Sequence, residues 1–515
     1  MNTDRAVLDV RLVPAAVTSW AVTAAGILWP AGALVAVVVA AIAASALLRW
    51  YSVRAPAGDG GGPVFGAAAV LAVALVGGCF ALAIGLRAHD VRHHPITARV
   101  GTTVTATVTP TESPRVLGGG RLLFRAALRQ VAGAAADGAV TVFAPGWRSG
   151  EVTAGRPTTF RARVGRPTRS DLTVAVLTAV GDPTVGRAPA AQRLAGHIRS
   201  AFADAARLAL PPDQAAMLPA LVLGDTSAVT APAASDFRTA GLTHLTAVSG
   251  ANVTIVCGVA LLSAMLVGPR IAAVLAFLVL IAFVLVVEPS ASVLRAAVMG
   301  GIGLLAMLSH RRRQAIPVLS CTVIALMVGA PQLAVDIGFA LSVVATAALV
   351  LVAPVWSARL TERGWPRPLA AAVSVAVAAQ LVTAPLVAGI SGRFSVLSVA
   401  ANLMVAAVIP PITVIGTAAA VLASWWPTGA GLLIRFTGPE LWWLLQVAHR
   451  VAAVPGASVP VPSGVAGVAV VAVASLALVL GWRWRWVRLA VAACGVALLA
   501  WTVSELSGRR DTIVA

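Results

Sequence analysis

The chain has no lysine; all 38 of its basic residues are arginine. Without lysine there is no G-x-x-x-x-G-K-[ST] loop, so a P-loop motor is excluded. Charge of either sign is scarce: 11% of residues carry it, against about 25% in a soluble domain. A chain of 515 residues this poor in charge cannot cover a globule with wetted surface. That excludes a soluble protein, and it excludes disorder and a coiled coil as well. Cysteine is nearly absent. Cys79, Cys257, Cys321 and Cys494 each sit inside an apolar run at no metal-ligand spacing. A disulfide scaffold is thereby excluded, and the four read as small core residues. His93-His94 reads as a solvated pair, and no metal site is expected.

What the chain has in excess is apolar residues, at 59%. The first apolar block runs from about residue 12 to 48, interrupted at Trp29-Pro30, and is long enough for two spans of ~17–20 residues. It is too long for a cleavable leader. A third span covers about 64–86. Beyond residue 245, spans are expected near 251–267, 270–288, 292–308, 316–330, 335–354, 369–390, 396–424, 464–481 and 487–503. The stretch 438–454 reads as a span or an interfacial helix. The total is about 12 or 13. The 396–424 run holds Pro410-Pro411 and is expected to be broken.

Between Arg87 and about Gly186 the pattern changes. Short apolar runs alternate with polar residues, as in Thr102–Val108, Arg121–Arg125, Val140–Phe143, Thr159–Val164 and Leu172–Val176, with Gly and Pro clusters between them. This predicts about five strands in a small barrel or sandwich. From Arg87 to Arg199 there are 16 arginines against six acidic residues, a local net charge of +10 within a total of +19. Such an excess suits an anionic partner: lipid headgroups, nucleic acid, or both. Arg121, Arg125, Arg161 and Arg163 lie on the predicted strands and are candidate phosphate contacts. Residues 191–210 then read as an amphipathic helix, with Leu194, Ile198, Phe202 and Leu210 on one face. A second short helix is expected over 214–223, and both are expected to lie flat on the membrane surface.

Arginine placement orients the chain. With the N-terminus in the cytoplasm, Arg49, Arg270, Arg311–Arg313, Arg359, Arg363 and Arg367 fall inside. The β segment falls outside, as a long domain can regardless of its charge. The expected architecture is therefore a polytopic α-helical membrane protein with one small external all-β domain. Residues 1–86 are N-terminal spans, 87–190 the external domain, 191–240 amphipathic helices and 241–515 a multi-span domain.

The segment from Gly241 to Val253 sets His244, Ser249, Gly250 and Asn252 at the mouth of an apolar span. Gly250 permits a helix break or a close approach, or the segment is simply a capped helix with small packing residues. Other polar groups lie in or near spans. A charge at the bilayer centre costs about 2.5–3.5 kcal/mol on insertion scales, so such groups face protein or water. Arg295 suits a phosphate or an internal salt bridge. Asp336 suits a polar path or a helix cap. Gln380 and Asn402 suit a path or interhelical bonding. Trp482, Trp484 and Trp486, alternating with Arg483 and Arg485, read as an interfacial anchor.

This segment resembles the signature of the ComEC family of competence DNA-uptake channels, close to G-L-x-H-L-x-x-[IV]-S-G-x-[HN]-[IV]. The chain matches at Gly241, Leu242, His244, Leu245, Val248, Ser249, Gly250, Asn252 and Val253. Further family elements follow in order: Leu223-Gly224-Asp225; Arg295-Ala296-Ala297-Val298-Met299; Pro331 through Asp336, Gly338, Phe339, Leu341 and Ser342; Gln380, Thr383 and Pro385; Phe394, Ser398 and Asn402. The resemblance covers about residues 10–480. It implies an OB-like external domain and a channel passing single-stranded DNA into the cytoplasm. On that reading Asp225, His244, Ser249, Gly250, Asn252, Arg295, Asp336, Gln380 and Asn402 line the path. The implied partners are single-stranded DNA, membrane lipids, a separate DNA receptor and a cytoplasmic motor or nuclease, with oligomeric state left open. No cofactor is implied. Many members end in a metallo-β-lactamase-like domain marked by H-x-H-x-D-H. The seven histidines, His89, His93, His94, His197, His244, His310 and His449, form no such motif, so a short, non-enzymatic form is expected. The cysteine pair that some members carry in the external domain is missing too. Two other classes stay open: a transporter for another anionic solute, and an inert membrane scaffold.

Overall fold

The computed structural model describes residues 9–54, 62–117, 120–147, 152–287, 290–308 and 314–486, with 488, 489 and 493 besides. The expected last span over 487–503 lies outside these apart from those three positions. Glu288, Arg311–Arg313, Cys494 and the tail arginines also lie outside.

Three helices open the chain: α1 (Val13–Leu28), α2 (Gly32–Arg54) and α3 (Gly62–Arg92). The break between α1 and α2 falls at Trp29-Pro30, where the fixed φ of proline and its missing amide end a helix. Six strands follow: β1 (Thr103–Pro110), β2 (Arg115–Val116), β3 (Leu122–Val131), β4 (Ala134–Ala144), β5 (Thr158–Gly165) and β6 (Thr173–Val185). Their order is β1-β5-β6-β4-β3-β2, and β1 also pairs with β3, so the five long strands close into a barrel. Only β4 and β6 run parallel. Each of the five alternating segments becomes a strand. Their inward residues, such as Val108, Phe124, Val142, Ala162 and Leu177, form one buried core. Closure satisfies the edge amides that an open sheet would leave bare.

The rest is helical: α4 (Ala190–Ala209), α5 (Pro212–Leu223), α6 (Ala231–Thr239), α7 (Gly250–Ala264), α8 (Pro269–Val286), α9 (Ala291–Leu308), α10 (Ala315–Gly329), α11 (Ile337–Leu351), α12 (Ala353–Glu362) and α13 (Arg367–Ser391). After β7 (Arg393–Ser395) come α14 (Ser398–Val405), α15 (Ile409–Ala423), α16 (Pro427–Phe436) and α17 (Gly438–Ala452). Strand β8 (Ser458–Pro460) pairs with β7, and α18 (Val465–Gly481) follows. The 396–424 run is indeed broken. Its halves, α14 and α15, meet at 54°, with Pro410 and Pro411 in the first turn of α15, where no amide donor is needed.

Among the described residues, six helical segments are long and apolar enough to cross a membrane: Val70–Arg99, Gly250–Val267, Pro269–Val286, Ala291–Leu308, Ile337–Glu362 and Arg367–Ser391. The bent α14–α15 pair would make a seventh, Val13–Leu28, Ala315–Gly329 and Val465–Gly481 are apolar but shorter, and α2 is apolar over Gly32–Ile42 and continues as helix to Arg54. Counted with the bent pair and the shorter apolar helices, the described residues hold eleven apolar helical segments, and the span expected over 487–503 lies outside them. Helix α10 has 15 residues and so is about 22 Å long, short of a ~30 Å hydrocarbon core. The 438–454 stretch forms α17, outside the span set, and it carries Glu440, His449 and Arg450.

The amphipathic α4 begins and ends within a residue of expectation. Phe202, Ala205 and Ala206 are buried against α5, α15 and α16. Helix α5 departs from the surface-helix expectation. Met217 through Leu223 are all buried, so it is a core strut and not a helix lying flat. Its sequence is apolar on every side, which is the mark of a helix enclosed by others.

The N-terminal helices dock on the far half of the chain. Trp20 Nε1 donates to the Ala334 carbonyl at 2.9 Å, and its ring meets Phe339 edge-on at 5.3 Å. Arg87 Nη2 donates to the Val328 carbonyl at 3.1 Å. The barrel touches both parts. Leu172 packs on the cluster of Val22, Ala33 and Ile84, and Arg125 Nη1 lies 4.0 Å from Asp336 Oδ2.

Candidate functional site

Helix α7 starts at Gly250 because Ser249 caps it. The Ser249 backbone is extended, and its Oγ accepts the Asn252 amide at 3.4 Å. Asn252 is 4% exposed and serves as a rivet. Its Nδ2 donates to the Leu221 carbonyl of α5 at 2.9 Å, and its Oδ1 accepts from Ser249 Oγ at 3.2 Å. Leu221, Leu245, Ser249, Asn252, Ile409, Ile412 and Thr413 enclose a cavity of about 10 Å³, room for one water molecule. The first turn of α7 is thus closed against α5 and α15.

On its other side α7 meets a cation. Arg295 is 6% exposed and is the one charged side chain buried among the described residues. Its Nε donates to Ser342 Oγ of α11 at 2.6 Å, and Nη1 reaches Met299 Sδ at 3.5 Å. Ser342 Oγ also lies 3.2 Å from Ser292 Oγ. A methyl group placed on Gly250 would come within 2.5 Å of Nη2, so only glycine lets the guanidinium approach this closely. No carboxylate among the described residues pairs with Arg295. The internal salt bridge that the sequence left open is therefore not formed there.

A second polar cluster gathers around Gly241. That residue turns the chain at φ +74°, and a side chain on it would strike Ser398 at 2.6 Å. Ser398 Oγ donates to Gln380 Oε1 at 3.0 Å, and Asn402 Nδ2 donates to the Ser398 carbonyl at 2.8 Å. Ser395 Oγ donates to the Thr239 carbonyl at 2.9 Å. Gln380 is thus bonded across helices to Ser398, whereas Asn402 bonds back to Ser398 within α14 itself. His244 stands on the turn between Gly241 and α7. Desolvation pushes its imidazole below the usual histidine range, against a hydrogen bond to the Gly241 backbone that favours the proton. Its side chain still reaches water, which limits the shift.

The remaining candidates scatter. Asp225 accepts the Ser227 amide at 3.0 Å in a local turn. Asp336 accepts the Phe339 amide at 2.8 Å and caps α11, while its second oxygen faces Arg125. The four barrel arginines are exposed but do not form one strip. Arg163 lies opposite Thr103 at one end of β1, whereas Ala126, next to Arg125, lies opposite Pro110 at the other. Arg125 therefore sits at the end docked on Asp336, and Arg161 and Arg163 at the far end. Ser342 and Ser398 are the residues that candidate picking missed. Both stand in a family-like motif, and neither has a charge to draw notice. His449 Nδ1, 3.0 Å from Asp236 Oδ2, had no signal beyond being a histidine.

A family model described as Competence protein matches residues 221–487, more than half of the chain. No curated protein and no solved structure matches.

Proposed function

The chain belongs to the competence protein family, and from that membership we propose that it is the membrane channel admitting single-stranded DNA to the cytoplasm in natural transformation. Membership gives it a part in DNA uptake, and its apolar helices make it a multi-pass membrane protein. The family match carries the reading, because it spans every path candidate from Asp225 to Asn402. In this reading the chain sits in the cell membrane, with its N-terminus in the cytoplasm and the barrel outside. The barrel's closed five-stranded form supports an OB-like receptor, a fold class that binds oligonucleotides. Its exposed arginines attract phosphates, and counterion release makes that attraction salt-dependent. Strand passage requires the helices around the ~10 Å³ cavity to part, and the break between α14 and α15 is where the bundle has least continuity. The reading assigns transport and no catalysis.

Two measurements test it. Cells lacking the chain should still hold labelled DNA at their surface but deliver none to the cytoplasm, and the gene supplied in trans should restore delivery. Unchanged transformation without the chain would remove the channel reading and leave transport of another anionic solute. In an otherwise cysteine-free chain, a thiol reporter at Asp137 should react from outside intact cells. One at Arg363 should react only after permeabilisation. The reverse pattern would invert the orientation.

A further inference from the structure

We infer that the seam between α3 and α10 holds a phospholipid, with an acyl chain in a cleft floored by α1 and its phosphate on Arg87. The inference needs the chain to lie in a membrane and is independent of what the chain transports.

The cleft comes from unequal packing. Helix α1 packs along both α3 and α10, while α3 and α10 are tied across the gap by Arg87, whose Nη2 donates to the Val328 carbonyl at 3.1 Å. Between them lies a space of about 210 Å³. Cys79, Ala83 and Arg87 line it from one face of α3, so it follows that helix for about 12 Å. Phe80, Ile84 and Met327 add apolar wall.

The walls select the occupant. Thr23 and Arg87 are the lining residues whose side chains carry oxygen or nitrogen, and Thr23 Oγ1 already donates to the Ser19 carbonyl at 2.7 Å. A buried water needs several polar partners, whereas an apolar space of about 150 Å³ stays dry and takes an apolar guest. The rim identifies the guest. Cys79, Ala83 and Val328 are exposed, as are Leu75, Leu82 and Leu86 on α3. These residues lie within the span Val70–Arg99 or the apolar helix Ala315–Gly329, so the medium at the mouth is hydrocarbon.

Arg87 marks the headgroup end. It stands about 26 Å along the helix from Val70, near the edge of a ~30 Å hydrocarbon core. Beyond it the helix turns polar, with His89, Asp90 and Arg92 exposed. The guanidinium spends a donor on Val328, and no carboxylate among the described residues pairs with it. An exposed arginine fork at the end of an apolar cleft fits an amphiphile with phosphate at one end and hydrocarbon at the other. A free phosphate would leave the cleft empty, and a tail without phosphate would leave the fork unused.

The test uses the purified full chain in phospholipid-free maltoside micelles. A trace of phosphatidylglycerol carrying a diazirine on one acyl chain is added, the sample is irradiated, and adducts are mapped by peptide mass spectrometry. Adducts should concentrate on residues 79–87 and 327–331, above the level at Leu278, an exposed position on α8. Even labelling overturns the site. Ala83→Phe fills the cleft and should bring its labelling down to the Leu278 level. Leu82→Phe, at an exposed position of the same helix, should leave it unchanged. Undiminished cleft labelling in Ala83→Phe overturns the site too. For the headgroup, a diacylglycerol with the same diazirine chain should label the wild-type cleft less than the phospholipid does, and the two should label Arg87→Gln alike. Equal labelling of the wild type by both lipids overturns the role of Arg87, and this comparison stands even if Arg87→Gln fails to accumulate. Unlabelled phosphatidylglycerol should displace the probe, and dimethyl phosphate at the same concentration should not. Equal displacement by the two overturns the acyl-chain assignment.

Discussion

The barrel and the helical core handle positive charge in opposite ways. On the barrel, Arg121, Arg125, Arg161 and Arg163 are exposed, and of these Arg125 faces Asp336. In the core a single arginine is buried among the described residues, held by the Ser342 hydroxyl and a thioether, and pressed against a glycine. Exposed cations give capture that is strong at low salt and indifferent to sequence. A buried one gives a fixed position and is hardly screened. The same residue type thus serves loose attraction in one region and defined placement in the other.

Gly250→Leu should break this contrast most sharply. The added side chain displaces the Arg295 guanidinium, so DNA delivery should fall to background while the purified chain still binds single-stranded DNA through its barrel. Uptake assays and a binding titration on the same variant check it. Normal delivery would remove the α7 start from the path. Next comes Asn252→Ala, which leaves the buried Leu221 carbonyl without its donor. Stability should fall by about 1–3 kcal/mol, read as a lower melting temperature. Asp336→Ala removes a helix cap worth about 1 kcal/mol, and it also frees Arg125 from the core carboxylate it faces. Melting should drop modestly. The smallest effect belongs to the barrel. Arg161→Ala with Arg163→Ala should weaken single-stranded DNA binding at every sequence and lower the salt slope by about 2, with melting unchanged.

Much of the architecture was legible in the sequence, for identifiable reasons. Alternation at Thr102–Val108 and Thr159–Val164 marks strands because one face of each enters the barrel core. Trp29-Pro30 and Pro410-Pro411 mark breaks because proline lacks a donor. Span bounds were legible too: α10 and α18 fall within a residue of the runs 316–330 and 464–481, because uninterrupted apolar sequence between polar or Gly-Pro breaks marks where each helix starts and stops. The burial of α5 was missed because an all-apolar helix reads the same in protein as in lipid. At the site, the residue types at Ser249, Gly250, Asn252 and Arg295 were visible. Their pairings were not. Asn252 bonds a backbone carbonyl, which any residue at position 221 would offer, and Gly250 meets Arg295 only once α7 and α9 pack. The separation of Arg163 from Arg125 depends on strand register, which composition cannot report.

The bond from Trp20 to Ala334 joins residues 314 apart in the chain. Synthesis proceeds at about 5–20 residues per second, so the first helix waits on the order of 15–60 s for its partner to leave the ribosome. During that interval α1–α3 must persist in the bilayer without the face they will finally bury, while the barrel is made and folds between them and the rest. Assembly of this chain therefore ends with its beginning. The oldest helices are the last to be seated, and a quality-control protease that samples unpaired spans has its longest opportunity at the N-terminus.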